Sequence, residues 1–398
     1  MKRYVQVGCG YRGVGAYAIP LVKEYSHCGK LCGVYDVNPL RAALVSELAE
    51  ENIPVFDSFT DMLAQVRPDT VIVTTVDCFH DQYIVEAMEA GCDVICEKPI
   101  TTTLEKAEAI YEAQKRTGKQ VRVTFNLRFH PFYSKLKETV CSGVLGDILS
   151  VHFEWMLGKT HGADYFRRWH AEQEKSGSLL VHKSTHHFDI VNWLIEQKPV
   201  SVNAFGTRRV FGDAGRMGAQ RCSTCTDRCD FYFDMHEEER LIRLYKDCEG
   251  ADGYLRDACV FSKRVDIQDT VSVNVLYDGG TVMSYTLSAF SPYEGMRIAL
   301  NGTKGRIEAS SADRTIRIYP INGEKEVIQV PRQENTGHGG ADRRIRDNLF
   351  MDQPTNLPGQ SAGLREGFLS VAIGIAATKS MQEGKRIELQ AYADTLFR

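Results

Sequence analysis

The sequence predicts an α/β protein whose first part is a doubly wound parallel sheet. Three observations carry that expectation. An apolar strand at Tyr4–Val7 runs through Gly8, Gly10 and Gly13 into an amphipathic helix. Apolar, β-branched runs then alternate with helical stretches, as a parallel sheet with crossover helices requires. Finally, 398 residues exceed the usual size of one hydrophobic core, so two domains are expected.

In the opening segment "RYVQVGCGYRGVGAYAIPLVKEY", Gly8 permits a tight turn and Gly10 lets backbone approach a pyrophosphate. Gly13 lets the helix pack close to its strand. Tyr11 and Arg12 lie inside this turn and join the expected cofactor site. The next strand, "KLCGVYDVNP", ends in Asp36, where an acidic residue binds ribose hydroxyls. A carboxylate there repels a 2′-phosphate, so NAD is expected over NADP, although Arg41 stands close by.

Val55-Phe56 and a short helix from about Ser58 come next, then the buried strand "DTVIVTTV". Ligands bind such sheets at the carboxyl ends of the strands. That rule adds Thr75 and His80 to the cofactor site, followed by Glu97 and Lys98 at the end of the strand Asp93–Cys96. Pro99 removes a backbone donor and restricts the residue before it, which limits where Lys98 points. Thr102 with Glu105 reads as a capping box that restarts the chain as a helix. "QVRVTFNLRF" is a further strand.

Composition narrows the function classes. The chain is 43% hydrophobic and 25% charged, with a net charge of −4, so nothing electrostatic calls for nucleic acid. No apolar run is long enough for a bilayer. The chain enters "YVQVGCG" without a charged-then-apolar leader, so a cytoplasmic location and no membrane partner are expected. Among the 12 cysteines, Cys9, Cys28, Cys32, Cys78, Cys92, Cys96 and Cys141 read as small buried hydrophobes.

"VGCGYRG", Asp36, "EKPI" at 97–100 and "FNLRFHP" at 125–131 resemble the Gfo/Idh/MocA oxidoreductases. "SGSLLVHKSTHHFDIVNWL", "GTKGRIE" at 302–308 and "AIGIAATKSMQEGKRIEL" extend the resemblance over nearly the whole chain. It implies an NAD-binding Rossmann domain at 1–125 and a C-terminal α/β domain at 126–398, built on a large open, mostly antiparallel sheet. It also implies a sugar, glycoside or polyol substrate between that sheet and the nicotinamide, and a homodimer or homotetramer. Carried over by position, the catalytic set is Lys98, His182 and His186, with His182 standing where the family commonly has an aspartate.

The residues suit that chemistry. "VHKSTHHFDIVNWLI" reads as one helix with His182, His186 and Asp189 along one side. Oxidising a secondary alcohol needs a base near neutral pKa, assigned to His186, and a cation beside the developing alkoxide, assigned to Lys98. His182 either shares the proton or meets a sugar hydroxyl; a His-x-x-x-His pair can also hold zinc. Asn126 and Arg128, then Arg168 and Trp169 within "DYFRRWH", and His338 in "NTGHGGAD" complete the expected substrate site. Three activities compete: an NAD-dependent dehydrogenase, a glycoside-cleaving enzyme that oxidises transiently before elimination, and a non-catalytic sugar sensor.

The segment 207–262 stands apart. It is charged, has little apolar periodicity and carries Cys222, Cys225, Cys229, Cys248 and Cys259. Four of these thiolates suit a structural zinc, with Cys248 or Cys259 completing the first three; an iron–sulfur cluster or free thiols are the alternatives. Such an insert is placed to cover the substrate cleft.

Overall fold

The computed structural model describes residues 1–213, 219–332 and 338–389. In the first sheet, β1 (Lys2–Val7) pairs in parallel with β2 (Gly29–Tyr35) and β3 (Thr70–Val73). The sheet continues in parallel through β4 (Asp93–Cys96) and β5 (Val121–Val123). Beyond β2, the strand expected at Val55 is reduced to one parallel bridge with Val34. A short antiparallel strand from late in the chain, Ala362–Gly363, closes the far edge against β5. All four residues of β3 are buried, as helices on both faces of a parallel sheet demand.

Local signals set the helices. Ser58 caps Phe59–Val66 by accepting the Asp61 amide at 3.0 Å. The helix Leu104–Thr117 is capped by Thr103, which accepts the Lys106 amide, and it ends at Gly118 with φ 69°. The cap therefore falls one residue after Thr102, whose side chain is buried instead.

The second sheet comprises β6 (Ile148–Gly158), β7 (Pro199–Thr207), β8 (Thr270–Tyr277), β9 (Val282–Ser291), β10 (Gly295–Gly302), β11 (Gly305–Ser310), β12 (Thr315–Pro320), β13 (Glu326–Gln329) and a final strand Ile387–Glu388. Its order is β13-β12-β11-β10-β6-β9-β8-β7 and then the final strand, antiparallel throughout except between β6 and β9. Burial alternates strictly along β8, so Val271, Val273, Val275 and Tyr277 face the core while Ser272, Asn274 and Leu276 line an open face. The helices Thr185–Ile195 and Leu364–Glu383 share that core. Each such buried side chain contributes about 1.5–3 kcal/mol. No helix among the described residues is long and apolar enough to cross a membrane.

The single helix expected over "VHKSTHHFDIVNWLI" is broken. One piece is Leu179–His182 and the next is Thr185–Ile195. Between them the bonding slips: the Ser184 amide reaches back five residues to Leu179, and the His187 amide only three, to Ser184. Ser184 and His187 are both tied to the Tyr285 hydroxyl, at 2.7 and 2.8 Å, which anchors the bend on the second sheet. His182 and Asp189 therefore do not share one continuous helical face.

The insert is also held differently from the expectation. No three His, Cys, Asp or Glu side chains are gathered to hold a metal among the described residues, so neither zinc nor an iron–sulfur cluster is supported. Cys248 lies apart from the others, its thiol donating to the Arg243 carbonyl. Cys222 receives a hydrogen bond from the buried Arg167 at 3.1 Å, and Arg167 also binds the Phe231 carbonyl. Cys259 lies near Cys222, Cys225 and Cys229, but no metal-holding group results among the described residues. Arg221, paired with Asp257 and Glu249, and the Phe166–Phe211 stack at 4.2 Å supply the cohesion.

Candidate functional site

The carboxyl ends of β1, β3 and β4 converge on the glycine turn. Gly8 has φ 88°, and a Cβ there would lie 2.6 Å from the Thr74 carbonyl. A Cβ on Gly13 would lie 2.4 Å from Thr74 Oγ1. The turn therefore lies flat against the end of β3, leaving backbone rather than side chain to meet a ligand, as a pyrophosphate requires. Asp36 stands at the end of β2 and accepts the amides of Cys9 at 2.6 Å and Asn38 at 2.8 Å. Burial raises its pKa, and Arg41 opposes that rise. The glycine turn with this carboxylate fits NAD. Arg41 is itself engaged by Asp36 at 3.2 Å and Asp252 at 2.8 Å.

Behind the turn is a brace. Arg12 reaches Glu97 through Nε at 2.8 Å and Asp342 through both Nη atoms. Tyr17 donates its hydroxyl to the same Glu97 oxygen at 2.7 Å. Burial alone would raise the Glu97 pKa, but Arg12 and Lys98 hold it below the ordinary range. His80, fully buried, spans the Pro99 carbonyl at 2.8 Å and the Thr75 carbonyl at 3.2 Å. Arg12, Glu97 and His80, expected to touch cofactor, thus fix the turn that carries Lys98. The peptide bond between Lys98 and Pro99 is cis.

Lys98 points at His182. Its amine is 3.0 Å from the His182 carbonyl and 3.4 Å from Nε2. On the other side of the ring, Nδ1 is 2.5 Å from Oδ2 of Asp77, which lies just beyond β3. Burial, with Lys98 and then His170, pushes the His182 pKa well below normal. Burial raises that of Asp77 and lowers that of Lys98, whose fall Asp77 and Glu97 oppose. Aromatic rings wall the pocket. His170 lies 4.0 Å from His182, Trp169 stacks on His170 at 3.7 Å, and Tyr165 is 5.7 Å from His182. Lys183 sits over the Trp155 ring at 4.9 Å, and burial pulls its pKa down to about 8.

The remaining expected residues divide. Trp169 joins the pocket. Arg168 is paired with Asp164 at 3.1 Å, and Arg256 of the insert shares that carboxylate. Arg128 is buried and committed to Asp189 through two bonds, 2.8 and 2.6 Å, so its donors are closed to a ligand. Asn126 gives its amide N–H to Asp342 at 2.8 Å, and its buried Oδ1 has no partner among the described residues. His186 is half-buried, with its ring edge-on to Phe125 at 6.0 Å. The backbone of His338 opens a short turn, but its side chain lies outside the described residues.

Asp77 and Lys183 escaped the sequence reading. Asp77 follows "VIVTTV", so the strand-end rule that selected Thr75 and His80 covers it too. Lys183 carried no signal, because its partners come from the second sheet.

Comparison with known proteins identifies the family and the fold. Residues 2–125 match the family described as "Oxidoreductase family, NAD-binding Rossmann fold", and residues 137–389 match its "C-terminal alpha/beta domain". A Bacillus subtilis (strain 168) protein described as "Putative oxidoreductase YteT" is 35% identical over 98% of both chains. The inositol 2-dehydrogenase of Corynebacterium glutamicum (strain R) is 30% identical over 51% of this chain and 57% of its own. A solved levoglucosan dehydrogenase, in complex with NADH and L-sorbose, superposes with a TM-score of 0.71. The superposition covers 98% of both chains at 16% identity, a likeness of fold.

Proposed function

The chain belongs to the Gfo/Idh/MocA oxidoreductase family, and from that premise we propose that it oxidises a secondary hydroxyl of a sugar, glycoside or polyol with NAD. The observation that carries this reading is the contact chain Asp77–His182–Lys98 at the strand ends beside the glycine turn. When bound, the nicotinamide supplies the hydride acceptor. Lys98 donates to the substrate oxygen and stabilises the charge that develops there. His182, kept neutral by its surroundings, takes the hydroxyl proton on Nε2 while Nδ1–H stays on Asp77. The Asp77 carboxylate then offsets the imidazolium, the compensation that a histidine at position 182 otherwise lacks.

This moves the base from His186 to His182, because Lys98 is bonded to His182. His186 and Trp169 are assigned to the substrate's other hydroxyls and its ring face. NAD is favoured over NADP because Asp36 is a carboxylate and the Arg41 guanidinium is already shared by Asp36 and Asp252. We expect kcat/KM with NAD to exceed that with NADP by at least about tenfold, roughly 1.4 kcal/mol; Asp36→Ser should narrow the gap. The open face of the nine-stranded sheet is assigned to self-association as a dimer or tetramer.

The test is NAD reduction with a panel of free sugars, inositols and glycosides, together with analysis for released aglycone. Lys98→Met should lower turnover by about 10²–10³-fold with NADH binding little changed. Aglycone release without accumulating NADH would replace net oxidation by oxidation and elimination. Sugar binding with neither product would sink the catalytic reading in favour of a sensor.

Lys183 adds a pH signature. Its ammonium is present below about 8 and lost above it, so activity that depends on this charge declines as pH rises through about 8. Lys183→Arg, which stays protonated, should carry activity into more alkaline solution. An unchanged alkaline limb in that variant would remove Lys183 from the site.

A further inference from the structure

We propose that residues 238–254 of the insert are part of the dinucleotide site: a strap closing over the glycine turn, with Tyr245 and Arg240 as phosphate-side ligands that slow NAD release. The inference rests on the reading that this chain binds NAD.

The strap lies on the first domain, not loosely beside it. Leu244 is fully buried in the same cluster as Val14 and Val45 of that domain. Arg41 donates to the Leu244 carbonyl at 3.1 Å and pairs with Asp252, while Asn38 donates its amide to the Cys248 carbonyl at 2.9 Å. These anchors surround the end of β2, where the Asp36 carboxylate stands. The strap thus crosses the ribose end of the site.

At the glycine turn the contacts are chemical rather than merely steric. The Tyr11 amide, a donor the turn would offer to a phosphate oxygen, gives its hydrogen to the Tyr245 hydroxyl at 3.0 Å. That hydroxyl also lies 3.4 Å from the position a Cβ on Gly10 would take. The Arg240 guanidinium covers the Tyr11 ring at 4.7 Å and comes within 2.7 Å of the corresponding position on Gly15. A hydroxyl oxygen therefore stands in the place of an anion, with a cation beside it.

An arriving phosphate takes over the Tyr11 N–H, and the displaced Tyr245 hydroxyl turns from acceptor to donor toward it. Arg240 adds a charge-assisted contact. The side chains that lie on the turn thus also hold the phosphate. Release then requires the strap to lift, which parts Asp252 from Arg41 and exposes Leu244.

The full-length protein would be loaded with NADH and chased with excess NAD while NADH fluorescence is followed. Tyr245→Phe and Arg240→Ala should each release NADH about tenfold faster, the loss expected for one hydrogen bond to a charged group. Tyr245→Phe keeps the ring beneath Arg41 and so guards against a folding artefact. Backbone hydrogen exchange across 239–254 should also slow when NADH binds. Unchanged release rates in both variants, or exchange there indifferent to NADH, would overturn the strap while leaving NAD binding intact. Absence of any NADH binding would overturn both readings.

Discussion

His182→Gln is expected to lower kcat by about 10²–10⁴-fold, the range for removing a positioned general base. The reason is geometric. Nε2 of His182 shares a pocket with the Lys98 amine, and Nδ1 is fixed by Asp77. Asp77→Asn should fall by a comparable amount, because an amide can hold the ring in the wrong tautomer and cannot offset its charge. His186→Gln should cost much less and appear mainly in KM. The pH profile checks the same assignment. The base works only when neutral, and burial with Lys98 depresses its pKa. Activity should therefore hold as pH falls through about 6.5, the ordinary histidine value, and fail only at lower pH. Collapse in His186→Gln with a mild His182→Gln would return the base to His186 and leave Asp77–His182 a positioning pair.

That contrast reflects what a sequence can carry. The glycine turn, Asp36 and the strand Asp93–Cys96 were legible because each signal is local: a periodicity, a spacing, a strand end. The helix start near Ser58 was legible for the same reason. The Asp77–His182 contact joins residues 105 apart in the chain, and nothing local to either announces the other. His182 therefore read only as a histidine where the family commonly has an aspartate, until the fold brought the Asp77 carboxylate to it. The bend at Lys183–Ser184 was hidden likewise, since its anchor is the Tyr285 hydroxyl on the second sheet. In the insert the cysteine spacing was the loudest local pattern, yet Arg167 and the Phe166 ring, both from the helix Lys159–Arg167, hold the segment. The same insert was expected over the substrate cleft; Arg256 does reach the Arg168–Asp164 pair, but its helical part lies on the glycine turn.

Arg128 offers the sharpest test of stability against function. Removing its charge as Arg128→Met should destabilise the fold by about 3–5 kcal/mol, because Asp189 would remain buried and unpaired. The two side chains are 2% and 1% exposed, and the guanidinium also faces the Trp193 ring at 5.5 Å, so water cannot replace the lost partner. Burial already lifts the Asp189 pKa to about 6 against the pull of Arg128. A carboxyl whose folded pKa is raised favours the fold below its unfolded pKa, and that contribution is lost as pH rises through about 6. Without Arg128 the carboxyl should rise further, so the variant's deficit should grow from mildly acid to neutral pH. Denaturant unfolding of the variant across that pH range measures both effects. Arg128→Met combined with Asp189→Leu should recover most of the loss, since a buried ion pair replaced on both sides by apolar groups is often neutral or stabilising. Were Arg128 instead a substrate ligand, the single variant would unfold like the parent and raise KM, and the second substitution would rescue nothing.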